Sequence, residues 1–232
     1  MIILYQFPPN WGLPNASPFC MKLETYLRMA KLPFEIKQVI NPRKNPKGKL
    51  PCISDDGKKI ADSGFIIDYL QQKYGDLLDS HLNEQQKAQA LTLRRTLEEH
   101  LYWILVYSRW IDERYWATSK ESFFGHLKNP WRYFIPILIR KKINRDLLHQ
   151  GIGRHSTAEI YQLGIDDLSA LSTLLGKNDF CMGKEPSSVD ACVYAFLANI
   201  LYAPIPSPLQ DYAKSQPQFA EYCARMQQRF YA

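Results

Sequence analysis

The chain opens on a short apolar run, MIILYQF (residues 1–7), rich in residues that favour pleated backbone, which predicts a strand. PPNWGLPN (8–15) carries three prolines and a glycine and predicts a loop. Apolar Phe19, Leu23, Tyr26 and Ala30 then recur at helical spacing, predicting a helix from Ser17 to about Lys31. PFEIKQV (33–39) alternates and predicts a second strand, and NPRKNPKGK (41–49) predicts a basic loop. LPCIS (50–54) and KKIA (58–61), joined by the turn DDG, predict a hairpin. DSGFIIDYLQQKYG (62–75) predicts a helix closed by Gly75. The order is β-α-β-β-β-α.

From about Leu77 the strand signals fade. Asn83 and Gln86 have the spacing of a capping box. They open a long helix with Leu97, Leu101, Ile104 or Leu105, and Ile111 on one face. Residues 119–130 predict an interruption, and a basic amphipathic helix follows Pro136 through IRKKINRDLLHQ. Ser156 and Glu159 predict another capped helix, ending near Gly176. SSVDACVYAFLANIL (187–201) predicts a helix buried on most sides, and a last helix starts near Pro217. The pattern divides the chain into an α/β unit at 1–79 and an all-α unit at 80–232.

Composition narrows the chemistry. A net charge of +6 is a moderate excess that favours anionic small molecules or an anionic surface. The basic residues form no long block and match no nucleic-acid-binding pattern, so no nucleic-acid partner is expected. The run Arg140, Lys141, Lys142 would give salt-sensitive binding to acidic vesicles if it faced a membrane. The five cysteines, at 20, 52, 181, 192 and 223, are scattered without a C-x-x-C pair. With dispersed histidines, they predict reduced thiols in a cytoplasmic protein and no metal site. The start of the chain has no basic leader, and YFIPILI (133–139) is too short for a transmembrane segment.

The candidate chemistry begins at NASPFC (15–20). Ser17 has the position of an N-cap and Pro18 that of the first helical residue. Cys20 lies in the first turn, where free amides and the helix dipole favour a thiolate.

This order of elements resembles the glutathione S-transferase superfamily, with KLP entering a hairpin and DS opening the next helix. SPFCMKLETYLRMAKLPFE, PKGKLPCISDDGKKIADS and EEHLYWILVYSRW look most like its bacterial and metaxin or failed-axon-connections-like branch. The resemblance implies a thioredoxin-like N-terminal domain followed by an all-α domain. It implies glutathione as co-substrate, a small electrophile as second substrate, and a homodimer. It implies a cis-proline at Leu50-Pro51 that aims the main chain of Cys52 at the cysteinyl part of glutathione. Asp62 and Ser63 would take the γ-glutamyl end at a helix N-terminus. Glu or Gln is commoner in the superfamily where Asp62 stands. Lys49, ahead of Arg43, Lys44 and Lys47, would meet the glycine carboxylate. Ser188 and Asp190 would form a buried capping box. Tyr107, Trp110 and Arg114 would wall the second-substrate pocket.

The expected activity is activation of the glutathione thiol for attack on the electrophile. Ser17 is the first candidate donor to the sulfur, and Tyr5 and Asn15 are alternatives. Cys20 would instead give glutathione-dependent thiol transfer. The chain has S-P-F-C where a glutaredoxin-type sequence has C-P-x-C, so the usual attacking thiol is absent. A non-catalytic, metaxin-like adaptor on the same fold is the other reading.

Overall fold

The computed structural model describes residues 1–232. Strands β1 (Ile2–Gln6), β2 (Phe34–Gln38), β3 (Cys52–Asp55) and β4 (Lys58–Ala61) form one sheet in the order β2-β1-β3-β4. β1 pairs parallel with β2, so a crossover must join them, and α1 (Pro18–Met29) provides it. β3 and β4 pair antiparallel with β1 and with each other. Strand alternation sends Ile2, Leu4 and Gln6 into the interior and leaves Ile3 and Tyr5 half-buried on the other face. α2 (Ser63–Tyr74) completes the first unit, and no strand follows it.

The rest is helical: α3 (Glu84–Arg95), α4 (Tyr102–Trp110), α5 (Glu113–Phe124), α6 (Trp131–Gln150), α7 (Thr157–Leu175), α8 (Ser188–Leu201), α9 (Pro208–Lys214) and α10 (Pro217–Phe230). α8 is apolar all round, and nearly every one of its residues is buried. It packs along α1, and one hydrophobic core runs from the sheet through α1 into the helical part.

Six local expectations change. α3 passes into α4 through a π-helical segment, Thr96–Leu101. The long helix ends at Trp110, because Asp112 caps a new one by accepting from the Arg114 amide at 3.1 Å. That new helix, α5, runs through Ser119–Phe124, which were expected to be irregular. α6 starts at Trp131, five residues before the expected Pro136, which lies buried inside the helix at the cost of one backbone hydrogen bond. α9 is a short helix the pattern did not signal. In the S-x-x-D box the capping serine is Ser187, which donates to Asp190 from its amide at 2.8 Å and its hydroxyl at 2.9 Å. Ser188 instead donates to Asp79.

Candidate functional site

Three chain segments converge around the first turn of α1. Cys20 is fully buried and packs with Leu50, Cys52 and Ala61, so the start of α1, the Leu50-Pro51 turn and the end of β4 meet at its sulfur. Desolvation pushes the Cys20 thiol up to about 12. Above it, Ser17 is half-buried and its Oγ accepts from the Cys20 amide at 3.5 Å, a long cap. Beyond a contact with the buried Cys20 sulfur that lowers that thiol's pKa against its desolvation, the hydroxyl makes no other hydrogen bond within the chain, which leaves its proton available to a ligand.

Asn15 is buried, and its side chain is committed to the backbone. Nδ2 donates to the Phe7 carbonyl at 2.6 Å and Oδ1 accepts from the Ser17 amide at 3.0 Å. Tyr5 lies between two cations, Lys37 and Lys59, at 5.7 and 5.4 Å from its ring. Ser17 is therefore the one of the four candidates that combines the helix start with an uncommitted donor.

The turn that carries Ser17 is held from the helical part. Arg109 on α4 donates from Nη1 to the Ala16 carbonyl at 2.6 Å, and from Nη2 to the carbonyl and Oδ1 of Asn199 on α8 at 2.8 and 2.9 Å. Asn199 Nδ2 in turn donates to the Asn15 carbonyl at 3.2 Å. Arg109 is buried without a carboxylate partner, its Nε is unpaired, and burial pulls its pKa down to about 9. It remains a cation at neutral pH, hydrogen-bonded to the carbonyl of the peptide group that carries the Ser17 amide.

Leu50-Pro51 is a cis peptide. Leu50 lies outside the sheet ladder, and its N–H and C=O make no hydrogen bond within the chain although the residue is buried. Cys52, by contrast, is inside the sheet, opposite Tyr5 on one side and Ala61 on the other. The free main-chain edge therefore belongs to Leu50, and Cys52 lies within the ladder.

Ser63 opens α2. Its amide and that of Phe65 have no partner in the chain, which leaves the helix N-terminus open to an anion. Asp62 caps Gly64 with an Oδ1–N distance of 3.0 Å and has φ +85°, a costly conformation for a residue with a side chain. Behind Ser63, the Lys22 ammonium donates to Ser63 Oγ at 3.3 Å and pairs with Glu98 of the π segment. Lys22 is completely buried and Glu98 almost so. Lys49 is exposed beside Leu50, and Arg43 and Lys44 are exposed further back. Lys47 reaches toward α2, 4.4 Å from the ring of Phe65.

The expected wall residues separate. Trp110 stacks on Phe123 at 5.3 Å, and Phe123 meets Trp11, whose Nε1 donates to Ser122 Oγ at 2.8 Å. Trp110 thus joins the loop that leads to Ser17. Tyr107 instead turns to α7, with its hydroxyl 2.7 Å from Thr157 Oγ1. Arg114 is held in a fork on Asp112 at 2.6–3.2 Å. Neither lines the cleft of about 890 Å³ that runs along residues 9–14 against Tyr194, Tyr202 and Tyr231.

Comparison with known proteins gives the frame for this geometry. Residues 18–115 match the glutathione S-transferase N-terminal domain, and residues 164–226 match the glutathione S-transferase C-terminal domain. The chain is 35% identical over 236 residues to the isoprene-epoxide–glutathione S-transferase of Rhodococcus sp. (strain AD45), covering 99% of both chains. The chain belongs to the glutathione S-transferase family.

Two further relatives are of a different kind. Failed axon connections of Drosophila melanogaster is 34% identical, with 99% of this chain and 58% of that protein covered. Metaxin-1 of Mus musculus is 30% identical, with 96% and 73% covered. Among solved structures, beta-etherase LigF from Sphingobium sp. strain SYK-6 superposes with a TM-score of 0.67 at 19% identity, covering 97% and 94%. That likeness fixes the thioredoxin-like fold with its helical second part.

Within this family frame, several residues were missed from sequence. Lys22 and Glu98 look like ordinary solvated helix charges, and only the packing of α1 on the π segment buries them. Arg109 reads as one basic residue in an aromatic helix. Trp11 lies in a proline-rich loop with no periodicity. The signal that was available is composition: a helix as apolar as YWILVYSRW has little solvated face on which to place an arginine.

Proposed function

We propose that the chain is a glutathione transferase that activates the glutathione thiol with Ser17. The observation that carries this reading is the unpaired main chain of Leu50, lying between a free serine hydroxyl and an open helix N-terminus. A peptide-like ligand added antiparallel to Leu50 would satisfy both its N–H and its C=O. In that pose the γ-glutamyl carboxylate meets the amides of Ser63 and Phe65 with the Lys22 charge behind them. The α-amino group meets Asp62, the glycine carboxylate meets Lys49 or Lys47, and the cysteinyl sulfur comes to Ser17.

The chemistry then follows from charge. A free thiol has a pKa near ~8.5, so little is thiolate at neutral pH. The Ser17 O–H donates to the sulfur anion, and the α1 amides and the buried Arg109 cation stabilise the same charge. The thiol proton leaves to solvent. The sulfur lone pair forms the new S–C bond while the electrophile's bond to its leaving atom breaks, and that atom takes up a proton. The aromatic group of Trp11, Trp110 and Phe123 supplies an apolar wall beside the loop. Identity to the Rhodococcus enzyme supports a small electrophile of epoxide type. A homodimer in the cytoplasm belongs to this reading as the family resemblance implies it.

The second reading, a non-catalytic adaptor, is favoured by the similarity to Failed axon connections and metaxin-1. Calorimetric titration with millimolar glutathione separates the two. The transferase reading expects saturable binding, weakened about tenfold or more in Asp62→Ala/Ser63→Ala. Absence of binding to the unaltered protein would overturn it in favour of the adaptor.

A further inference from the structure

The first two turns of α6 carry apolar side chains on the wrong side. Trp131, Tyr133, Phe134, Ile137 and Leu138 are each between 58% and 65% exposed. No other stretch of the chain exposes so many large apolar residues so close together. At 3.6 residues per turn, Tyr133, Phe134, Ile137 and Leu138 fall on one face with Lys141 and Arg145, while Pro136 and Leu147 face inward. The face is fixed rather than free to roll. Arg140 donates to the carbonyls of Trp110 and Ile111 at 2.8 and 2.9 Å, and to Glu113 at 2.6 Å, pinning α6 to α4 and α5. This also removes Arg140 from the basic run that the sequence singled out.

Charge says what the face would meet. From Lys128 to Arg145 there are cations at 128, 132, 140, 141, 142 and 145, and no carboxylate. Lys128, Lys141 and Arg145 have no ion-pair partner anywhere in the chain. A second copy of the chain fits poorly. Two helical turns extend only about 11 Å, a patch too small for the ~800 Å² per partner of a stable interface, and a twofold contact would set one basic group against another. An anionic lipid surface needs no matching shape. It takes apolar side chains to a depth of about 5–10 Å and holds Lys and Arg at the headgroups.

We infer that the exposed face of α6 is a peripheral membrane-docking surface for anionic bilayers, with Tyr133, Phe134, Ile137 and Leu138 entering the interface and Lys141 and Arg145 meeting lipid phosphates. It involves no glutathione, so its test stands apart from that of the catalytic reading.

The experiment is co-sedimentation with vesicles of phosphatidylcholine alone, and with phosphatidylglycerol added, at low and high salt. The protein is compared with Ile137→Glu/Leu138→Glu and Lys141→Glu/Arg145→Glu, all at exposed positions, with circular dichroism checking the fold. The expected result is binding to the anionic vesicles only, reduced about tenfold or more by either variant and by high salt. Three outcomes would overturn the inference. One is no binding at low salt, and another is equal binding by the variants. The third is loss of a dimer in Ile137→Glu/Leu138→Glu with vesicle binding unchanged, which would assign the face to a second copy.

Discussion

Ser17 caps α1 and Cys20 lies in its first turn, and burial divides their chemistry. The serine keeps a free donor at the surface of the turn, while the thiol packs against Leu50, Cys52 and Ala61. A thiol pushed up to about 12 is protonated throughout the neutral range. Cys20 in the folded protein should therefore resist alkylation by iodoacetamide between about pH 6 and 9, and react only after unfolding. Cys20→Ser should leave turnover within about twofold; its loss would revive thiol transfer. The raised pKa also has a sign for stability. The unfolded thiol ionises from ~8.5 upward while the folded one does not, so this contribution falls as pH rises from there toward 12. The S-P pair makes the helix start readable from sequence. Whether the hydroxyl or the thiol faces outward is not readable, because the rotation of α1 against the sheet sets it.

The π segment between α3 and α4 shows the same limit at the level of elements. The hydrophobic spacing of Leu97, Leu101 and Ile104 makes a helix legible, and all three are buried. The wider turn at Thr96–Leu101 is invisible to that spacing, yet Glu98 lies within it and meets Lys22 of α1 there. The pair joins the two units behind Ser63. Removing one partner leaves a buried charge, so Lys22→Met or Glu98→Met should each cost about 3–5 kcal/mol in denaturant unfolding. The double variant should recover most of that loss, because two apolar side chains replace two charges. Simple additivity of the two losses would show that the pair is not coupled. Glutathione affinity separates this role from packing alone: it should stay weakened in the double variant, since Ser63 loses the charge behind it. α6 fails differently. Trp131, Tyr133, Phe134, Ile137 and Leu138 do not face the core, so a rule that seeks a core stripe starts the helix at the buried Pro136 instead of at Trp131.

For the molecule as a whole, the order of strands and helices was legible because each element in the first eighty residues carries its own signal: alternation, a capping residue, a turn. The long-range grips were not. Arg109 and Asn199 hold the carbonyls of Ala16 and Asn15 across about 90 and 180 residues of chain. No local pattern encodes such a contact. In the proposed reading these grips would make the glutathione site a product of both units, with the strand turn and α2 offering the main-chain partners and α4 and α8 setting the serine. The central claim is that this assembly lowers the pKa of a bound thiol. The direct measurement is the ultraviolet absorbance of the thiolate of bound glutathione, titrated against pH in the unaltered protein and in Ser17→Ala. The account predicts a bound thiol about one to two units below the ~8.5 of a free thiol, moving back up by at least about one unit in Ser17→Ala. A bound thiol that titrates like free glutathione in the unaltered protein, or one that Ser17→Ala leaves unmoved, would contradict it.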